Sequence, residues 1–592
     1  MSHVLANLSR PQRLTQIQQH APSTTVSTVD ISGNSAGNST GNSTEHNRPW
    51  DMIIIGGGIT GAGILLTASQ AGLKVLLIEQ QDFAWGASSK SSKMVHGGLR
   101  YLGSGQYNMT KDAVIEREKL LHELPGLVSP LQFLMGHYKY QFPGPLVFNT
   151  LLTIYDWIGG KRNHRYINHN IADFYAPGIE QSKLQGATQF ADAVTDDARL
   201  VMRVLQEAQD LGGTAMNYLS AEQLIKTAGQ VTGIRVADQV SGQQFNLSAK
   251  VVVNATGPWT DKLRLQVQAK KAIRPLRGSH LIVPSWRLPL AYSVSYFHPE
   301  DKRPIFAFPW ENSTVIGTTD LDHHHDLDQQ PCISQNEVDY LLAGINKQFP
   351  QADISEDDVI STYAGIRPVV SNHDNEQSTK PSDEKREHSI WNEQGLISVA
   401  GGKLTTFRLI ALEVLTAAQD YLPSMDLKAL RNQRLFKPVS DDNTEHGLSQ
   451  SQRQRLTSLY GQHYSDLLKH ATTHEFKAIG NTNTSLAELK WSLQHEMVVH
   501  LDDLLLRRSR IGLLLPHGGA HLFDQLQPLC QTTLGWNDVE WQQEVKRYQD
   551  MIQRYYGLPK HNAHLAKDDE LVAKNNHRVT KDSASLVNTL AS

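Results

Sequence analysis

The stretch from Asp51 to Glu79 constrains this chain more than any other. Asp51 to Ile55 is a short apolar run, glycines follow, Ile64 to Ala71 has helical spacing, and Lys74 to Glu79 returns to strand character. Together they predict a β-α-β unit. Gly56, Gly58 and Gly61 form G-x-G-x-x-G between the first strand and the helix. There the first glycine permits a tight turn and the second lets backbone N–H groups approach a pyrophosphate, while the third lets the helix lie close to the strand. Glu79 ends the second strand, where a carboxylate can accept hydrogen bonds from both hydroxyls of an adenosine ribose and would repel a 2′-phosphate. This fingerprint predicts a bound dinucleotide but does not by itself separate FAD from NAD.

Two later segments favour FAD. Val251-Val-Val-Asn-Ala-Thr-Gly-Pro-Trp259 is a strand ending in a turn at Gly257, and Val399-Ala-Gly-Gly-Lys403 is a strand running through Gly402 into the helix Leu404 to Ala418. A cofactor touched by segments so far apart is long and deeply enclosed, whereas NAD usually needs one compact region.

A chain of 592 residues exceeds what a single core supports, roughly 250–300 residues, so two or three domains are expected. Residues 1–48 read as a flexible leader, because ISGNSAGNSTGNST at 31–44 is too small and polar to offset the entropy of ordering it. Arg10 and Arg13 without nearby acids leave an organelle transit peptide as the minority reading. Strand-like runs at Leu281 to Pro284, Val315 to Gly317 and Leu396 to Ala400 give residues 49–430 a mixed α/β character. The polar segment Ser371 to Glu387 should be a solvated loop. Helical spacing at Ser449 to Lys469, Leu486 to Leu506 and Val539 to Tyr556 places an all-α domain at 431–560, and residues 561–592 read as a flexible tail.

With 56 Lys+Arg against 60 Asp+Glu there is no global field to hold nucleic acid. Cys332 and Cys530 alone provide neither a disulfide framework nor a thiolate metal site, which fits a reducing compartment. The apolar stretch Met52 to Ala68 is broken by glycines, and no transmembrane helix is expected.

Seven segments, in order along the chain, resemble the FAD-dependent glycerol-3-phosphate dehydrogenases of the respiratory, quinone-reducing type. They are Ser91 to Leu102 (SSKMVHGGLRYL), Thr195 to Leu200 (TDDARL), Asn254 to Trp259, Arg277 to His280 (RGSH), Ile316 to Asp320 (IGTTD), Gly365 to Pro368 (GIRP) and Gly401 to Arg408 (GGKLTTFR). The resemblance implies a Rossmann-like FAD-binding domain interleaved with a β-sheet substrate cap, an α/β fold with an α+β cap, followed by an all-α C-terminal domain. It also implies oxidation of sn-glycerol 3-phosphate to dihydroxyacetone phosphate by hydride transfer from C2 to the flavin N5. Electrons then pass to ubiquinone or another quinone, in an enzyme held peripherally at the cytoplasmic face of the cell membrane; a homodimer is left open. The leader and the insertion after Pro368 are longer than that family's pattern, and Arg277 stands where lysine is frequent. No D-x-[DN]-x-[DN]-G calcium loop occurs, which favours a bacterial enzyme.

The resemblance sets Ser92, His96, Gly97, Gly402, Lys403, Leu404 and Thr405 against the cofactor, and Arg100, Tyr101 and Arg367 in the substrate pocket. A phosphate monoester needs several cations, preferably guanidinium groups that bind two oxygens at once; Arg100, Arg367 and Arg386 are the candidates. Oxidising a secondary alcohol also needs a proton acceptor, for which His280 is the candidate, with His96, or a cationic Arg367 or Lys403 acting on the hydroxyl, as the alternatives. Lys403 and Thr405 could stabilise an anionic reduced ring, and Thr318 and Thr319 could supply hydroxyls to cofactor or substrate. His323-His-His325 reads as a solvated loop and not a metal site, and Asp196 with Asp197 as a helix cap and first-turn charge. In Leu501 to Arg510 the leucines form one helical face and the arginines another, either a packed helix with a solvated or interdomain basic face or a membrane-surface helix. A soluble glycerol-3-phosphate oxidase, an amine or amino-acid oxidase, and a flavoprotein whose helical domain is an interaction module are the competing readings.

Overall fold

The computed structural model describes residues 9–20, 49–99, 102, 107–371, 388–440 and 445–559. Two sheets organise the first two thirds of the chain. In the first, Trp50–Ile55 lies between Gln244–Asn254 and Val75–Ile78, parallel to both. Thr214–Met216 extends one side in parallel, and Leu396–Ala400 extends the other. Every residue of Trp50–Ile55 and Val75–Ile78 is buried, as expected of parallel strands covered on both faces. Helices Ile59–Gln70, Asp197–Asp210 and Phe407–Ala417 pack together on one of those faces. The β-α-β unit and both later strand-to-turn segments therefore form as the sequence predicts.

The second sheet has ten strands and is mostly antiparallel. Ile273–Pro284 sits between Ser313–Gly317 and Ser361–Val370, and Val128–Tyr138 pairs with Leu184–Thr195. Because its strands come from segments between those of the first sheet, the two are interleaved in sequence. Among the described residues no strand follows Ala400, and helices fill the rest, including Leu486–His495 and Asp538–Tyr556. Residues 372–387 and 560–592, read as a loop and a tail, lie outside the described residues.

One expectation needs correction, and one set of alternatives is resolved. The stretch 1–48 is not wholly a flexible leader, because Arg10–Gln18 is a helix with Arg13, Leu14 and Ile17 buried against the first sheet. Its apolar residues at i and i+3 find partners only in the folded sheet, so composition alone misleads. Of the alternatives for Leu501 to Arg510, the packed helix with an interdomain basic face is the one that forms, and the arginines meet neither solvent nor a membrane. Arg507, Arg508 and Arg510 are buried, in and just beyond the π-helical turn Asp503–Arg508. Arg508 donates from both Nη atoms to Asp82, at 2.6 and 2.7 Å, and Arg507 Nε donates to the same carboxylate at 2.5 Å. Arg510 pairs with Asp196 and Asp197. Burial alone would push the Asp82 carboxyl up; Arg508 and Arg507 overcome this and hold it below the usual carboxylate range. The helical domain is thus locked to the sheet domains by buried charge.

Candidate active site

A cavity of about 880 Å³ runs between the two sheets. One end is built from the carboxyl ends of the parallel strands, where Gly56, Gly58, Glu79, Gly257 and Gly401 to Thr405 line it. That is where open α/β sheets bind ligands. Gly56 has φ +116°, and a Cβ on it would lie 2.5 Å from the carbonyl oxygen of Ala255. On Gly61 a Cβ would lie 1.9 Å from Gly56 O, so this glycine lets the helix approach the strand and does not itself line the cavity. Gly58 is the N-cap of Ile59–Gln70, and Ser88 Oγ accepts from Ile59 N at 2.9 Å. The Glu79 carboxylate accepts from the backbone N–H groups of Gly57 at 2.6 Å and Gln81 at 2.9 Å. Burial pushes its carboxyl up against the pull of those donors.

Ser92, His96, Lys403, Leu404 and Thr405 line the middle of the cavity, Thr405 donating to His96 O at 3.2 Å. Gly402 has φ +85°, and a Cβ there would strike Ile410 at 2.4 Å. Gly97 sits behind the wall. Its N–H donates to Asp192 Oδ1 at 2.9 Å, and Arg117 donates to the same oxygen at 2.6 Å.

The other end belongs to the second sheet. Phe133, Phe190 and Phe306 make an apolar wall, the first two stacked with centroids 5.1 Å apart. Beside it, Arg367 donates to Asp320 Oδ1 at 2.9 Å and to Thr318 Oγ1 at 3.1 Å, and Arg303 donates to Thr318 O at 3.0 Å. All four residues line the cavity. Arg367 and Thr318, both read from the sequence as site candidates, thus line the cavity. Arg303 and Asp320 were missed as cavity groups: Arg303 belongs to no motif, and Asp320 was read only as the end of one. Arg100, Tyr101 and Arg386 lie outside the described residues.

His280 is not among the residues facing the cavity. It lies behind Ser92, with Nε2 and Ser92 Oγ 2.9 Å apart and its ring stacked on Tyr363 at 4.5 Å. Burial, then the charges of Arg367 and Lys93, hold its pKa well below the ordinary value, so the imidazole is neutral near pH 7. Thr319 is likewise behind the wall, donating to Glu337 at 2.6 Å. Asp196 caps its helix as expected, accepting from Arg199 N at 3.1 Å. Asp197 does more than carry first-turn charge, since it holds Ser91 and Lys93 as well as Arg510. Of the histidine run, His323 is buried and not solvated, and no cluster able to hold a metal occurs among the described residues.

A cavity reaching from a glycine fingerprint at one sheet to paired arginines at another fits a long dinucleotide with a small anionic substrate at its far end. Residues 51–408 match the family model described as FAD dependent oxidoreductase, and residues 417–540 match the C-terminal domain of alpha-glycerophosphate oxidase. The fold and the cavity therefore define an FAD-dependent oxidoreductase.

The chain is 33% identical over 499 residues to an aerobic glycerol-3-phosphate dehydrogenase of Staphylococcus haemolyticus (strain JCSC1435), covering 78% of this chain and 87% of that protein. It is 31% identical over 529 residues to the like-named protein of Staphylococcus saprophyticus, covering 85% and 94%. The X-ray structure of the glycerol-3-phosphate dehydrogenase from Bacillus halodurans complexed with FAD superposes with a TM-score of 0.70 at 26% identity, over 92% of this chain and 98% of that one. This chain belongs to the FAD-dependent glycerol-3-phosphate dehydrogenase family, and its cofactor is FAD.

Proposed function

We propose that this enzyme oxidises sn-glycerol 3-phosphate to dihydroxyacetone phosphate in the cavity between its two sheets and delivers the electrons to a quinone at a membrane surface. The observation that carries the substrate assignment is the convergence of Arg303 and Arg367 on Thr318 in the wall that the second sheet gives the cavity. Two guanidinium groups offer the planar, multiply donating surface that a phosphate dianion requires. FAD supplies the two-electron chemistry when bound. Gly56, Gly58, Glu79 and Gly401 to Thr405 would hold it, with Lys403 as the cation of that group. Ser92 Oγ is the cavity-facing atom of the Ser92–His280 pair, and the neutral imidazole behind it is placed to orient that hydroxyl, since burial, Arg367 and Lys93 disfavour its protonated form.

The membrane and quinone part rests on a separate feature. Tyr140, Phe142, Leu146, Trp157 and Phe174 are each 76–98% exposed, on one segment that also displays Lys139, Lys161, Arg162, Arg165 and Lys183. An aromatic and apolar face with a cationic rim favours the interface of an anionic bilayer. The helix Pro145–Gly159 carries Leu146 and Trp157 outward while its Phe148 and Leu151 line the cavity, so one helix separates that face from the site. No helix among the described residues is long and apolar enough to cross a membrane.

Anaerobic addition of glycerol 3-phosphate to the purified protein is expected to bleach the flavin bands. Reduction by glycine or sarcosine in its place would overturn the assignment. Arg367→Ala should lower turnover about 100-fold while FAD content stays unchanged, because a charged contact to the substrate is lost and the nucleotide end is untouched.

A further inference from the structure

The helix Arg10–Gln18 has no part in the chemistry above, yet it is built into the nucleotide-binding sheet. Leu14 and Ile17 are buried in the same apolar cluster as Ile53, Leu76, Ile78 and Met216. Arg10 Nη2 donates to the carbonyl of Asn217 at 2.9 Å and to that of Tyr218 at 3.2 Å, and the guanidinium pairs with the buried carboxylate of Asp238.

What Arg10 grips is a strained turn. Tyr218 has φ +54°, a left-handed conformation that is costly for a non-glycine residue and persists only where its surroundings enforce it. Arg10 serves two successive carbonyls on one side. From the other, Tyr218 donates its hydroxyl to Asp503 Oδ1 at 2.6 Å, and Asn217 Nδ2 donates to Asp82 Oδ1 at 3.0 Å. The turn's own N–H groups support the cofactor site: Tyr218 N donates to Gln81 O and Leu219 N to Glu79 O, both at 2.8 Å. Glu79 on one side of this ladder and Ser220 to Glu222 on the other line the same end of the cavity.

We infer that Arg10 is a positioning residue for the nucleotide end of the FAD site: the N-terminal helix clips the Asn217–Tyr218 turn, which holds the Glu79 backbone, so docking of the helix tightens FAD binding. This rests on FAD as the cofactor and is independent of the alcohol oxidised. In the full-length protein stripped of flavin, Arg10→Ala should raise the Kd for FAD about tenfold, read by fluorescence titration, which corresponds to ~1.4 kcal/mol. Ile17→Asp, which undocks the helix, should do the same, and Arg10→Lys, a cation with fewer fixed donors, should fall between Arg10→Ala and the unmodified protein. Urea unfolding of the apoprotein separates the alternatives, since a merely structural helix would lower that midpoint and leave the Kd unchanged. If Ile17→Asp fails to fold, the two Arg10 variants decide. A rise below about threefold in Arg10→Ala, a free-energy change under ~0.7 kcal/mol, would overturn the inference whatever the midpoint does.

Discussion

Replacing Gly278 by alanine tests the anion site without touching any charged group. Gly278 lies in the strand Ile273–Pro284, opposite Gly365, and its backbone is not left-handed, so alanine fits the main chain. The side chain does not fit. Its Cβ would lie 2.6 Å from Nη2 of Arg367, 2.9 Å from Cζ and 2.8 Å from Oγ1 of Thr318. Against an ordinary contact near 3.5 Å, each group must retreat by roughly 0.6–0.9 Å. Arg367 cannot do so and keep both its 2.9 Å bond to Asp320 and its 3.1 Å bond to Thr318. Hydrogen bonds to charged groups are worth about 1.5–3 kcal/mol, so kcat/KM for glycerol 3-phosphate should fall roughly 10- to 150-fold. The fold should lose only part of that amount, because the backbone at Gly278 accepts alanine and the lost unfolded-state entropy returns about 0.4–1 kcal/mol. Steady-state kinetics on protein of measured FAD content and Tm checks this. A kcat/KM within about twofold of the unmodified enzyme would show that Arg367 is not held where the reaction needs it.

Asp82→Ala should destabilise the whole protein by about 3–5 kcal/mol in denaturant titration, because Arg507 and Arg508 would remain buried without their shared carboxylate. Asp82 is depressed in the folded state, so its contribution is complete above the unfolded value near pH ~4 and is lost as pH falls through the lower folded value; Asp82→Asn should remove that part of the acid dependence. Trp157→Asp together with Phe174→Asp should abolish co-sedimentation with vesicles containing anionic lipid while leaving reduction by glycerol 3-phosphate intact. Binding that persists would remove this face from the membrane contact.

The nucleotide end was legible in the amino-acid order because its parts are local. Gly56, Gly58, Gly61 and Glu79 fall within one β-α-β unit, and Gly257 and Gly402 each follow their own strand, so strand periodicity and glycine spacing suffice. Arg367 and Thr318 were legible only by resemblance, since nothing near either in sequence announces an anion site. Tertiary structure alone decided the rest, because those interactions join segments hundreds of residues apart. A helical face of arginines looks the same whether it meets water, lipid or buried acid; Asp82, Asp196 and Asp197 made Arg507 to Arg510 an internal clamp. His280 moved from the pocket to the layer behind Ser92 because neighbouring strands, not its own turn, set which way the imidazole faces. Arg10 to Gln18 is helical because a sheet formed from later residues offers Leu14 and Ile17 a place to bury, and composition cannot show that acceptor.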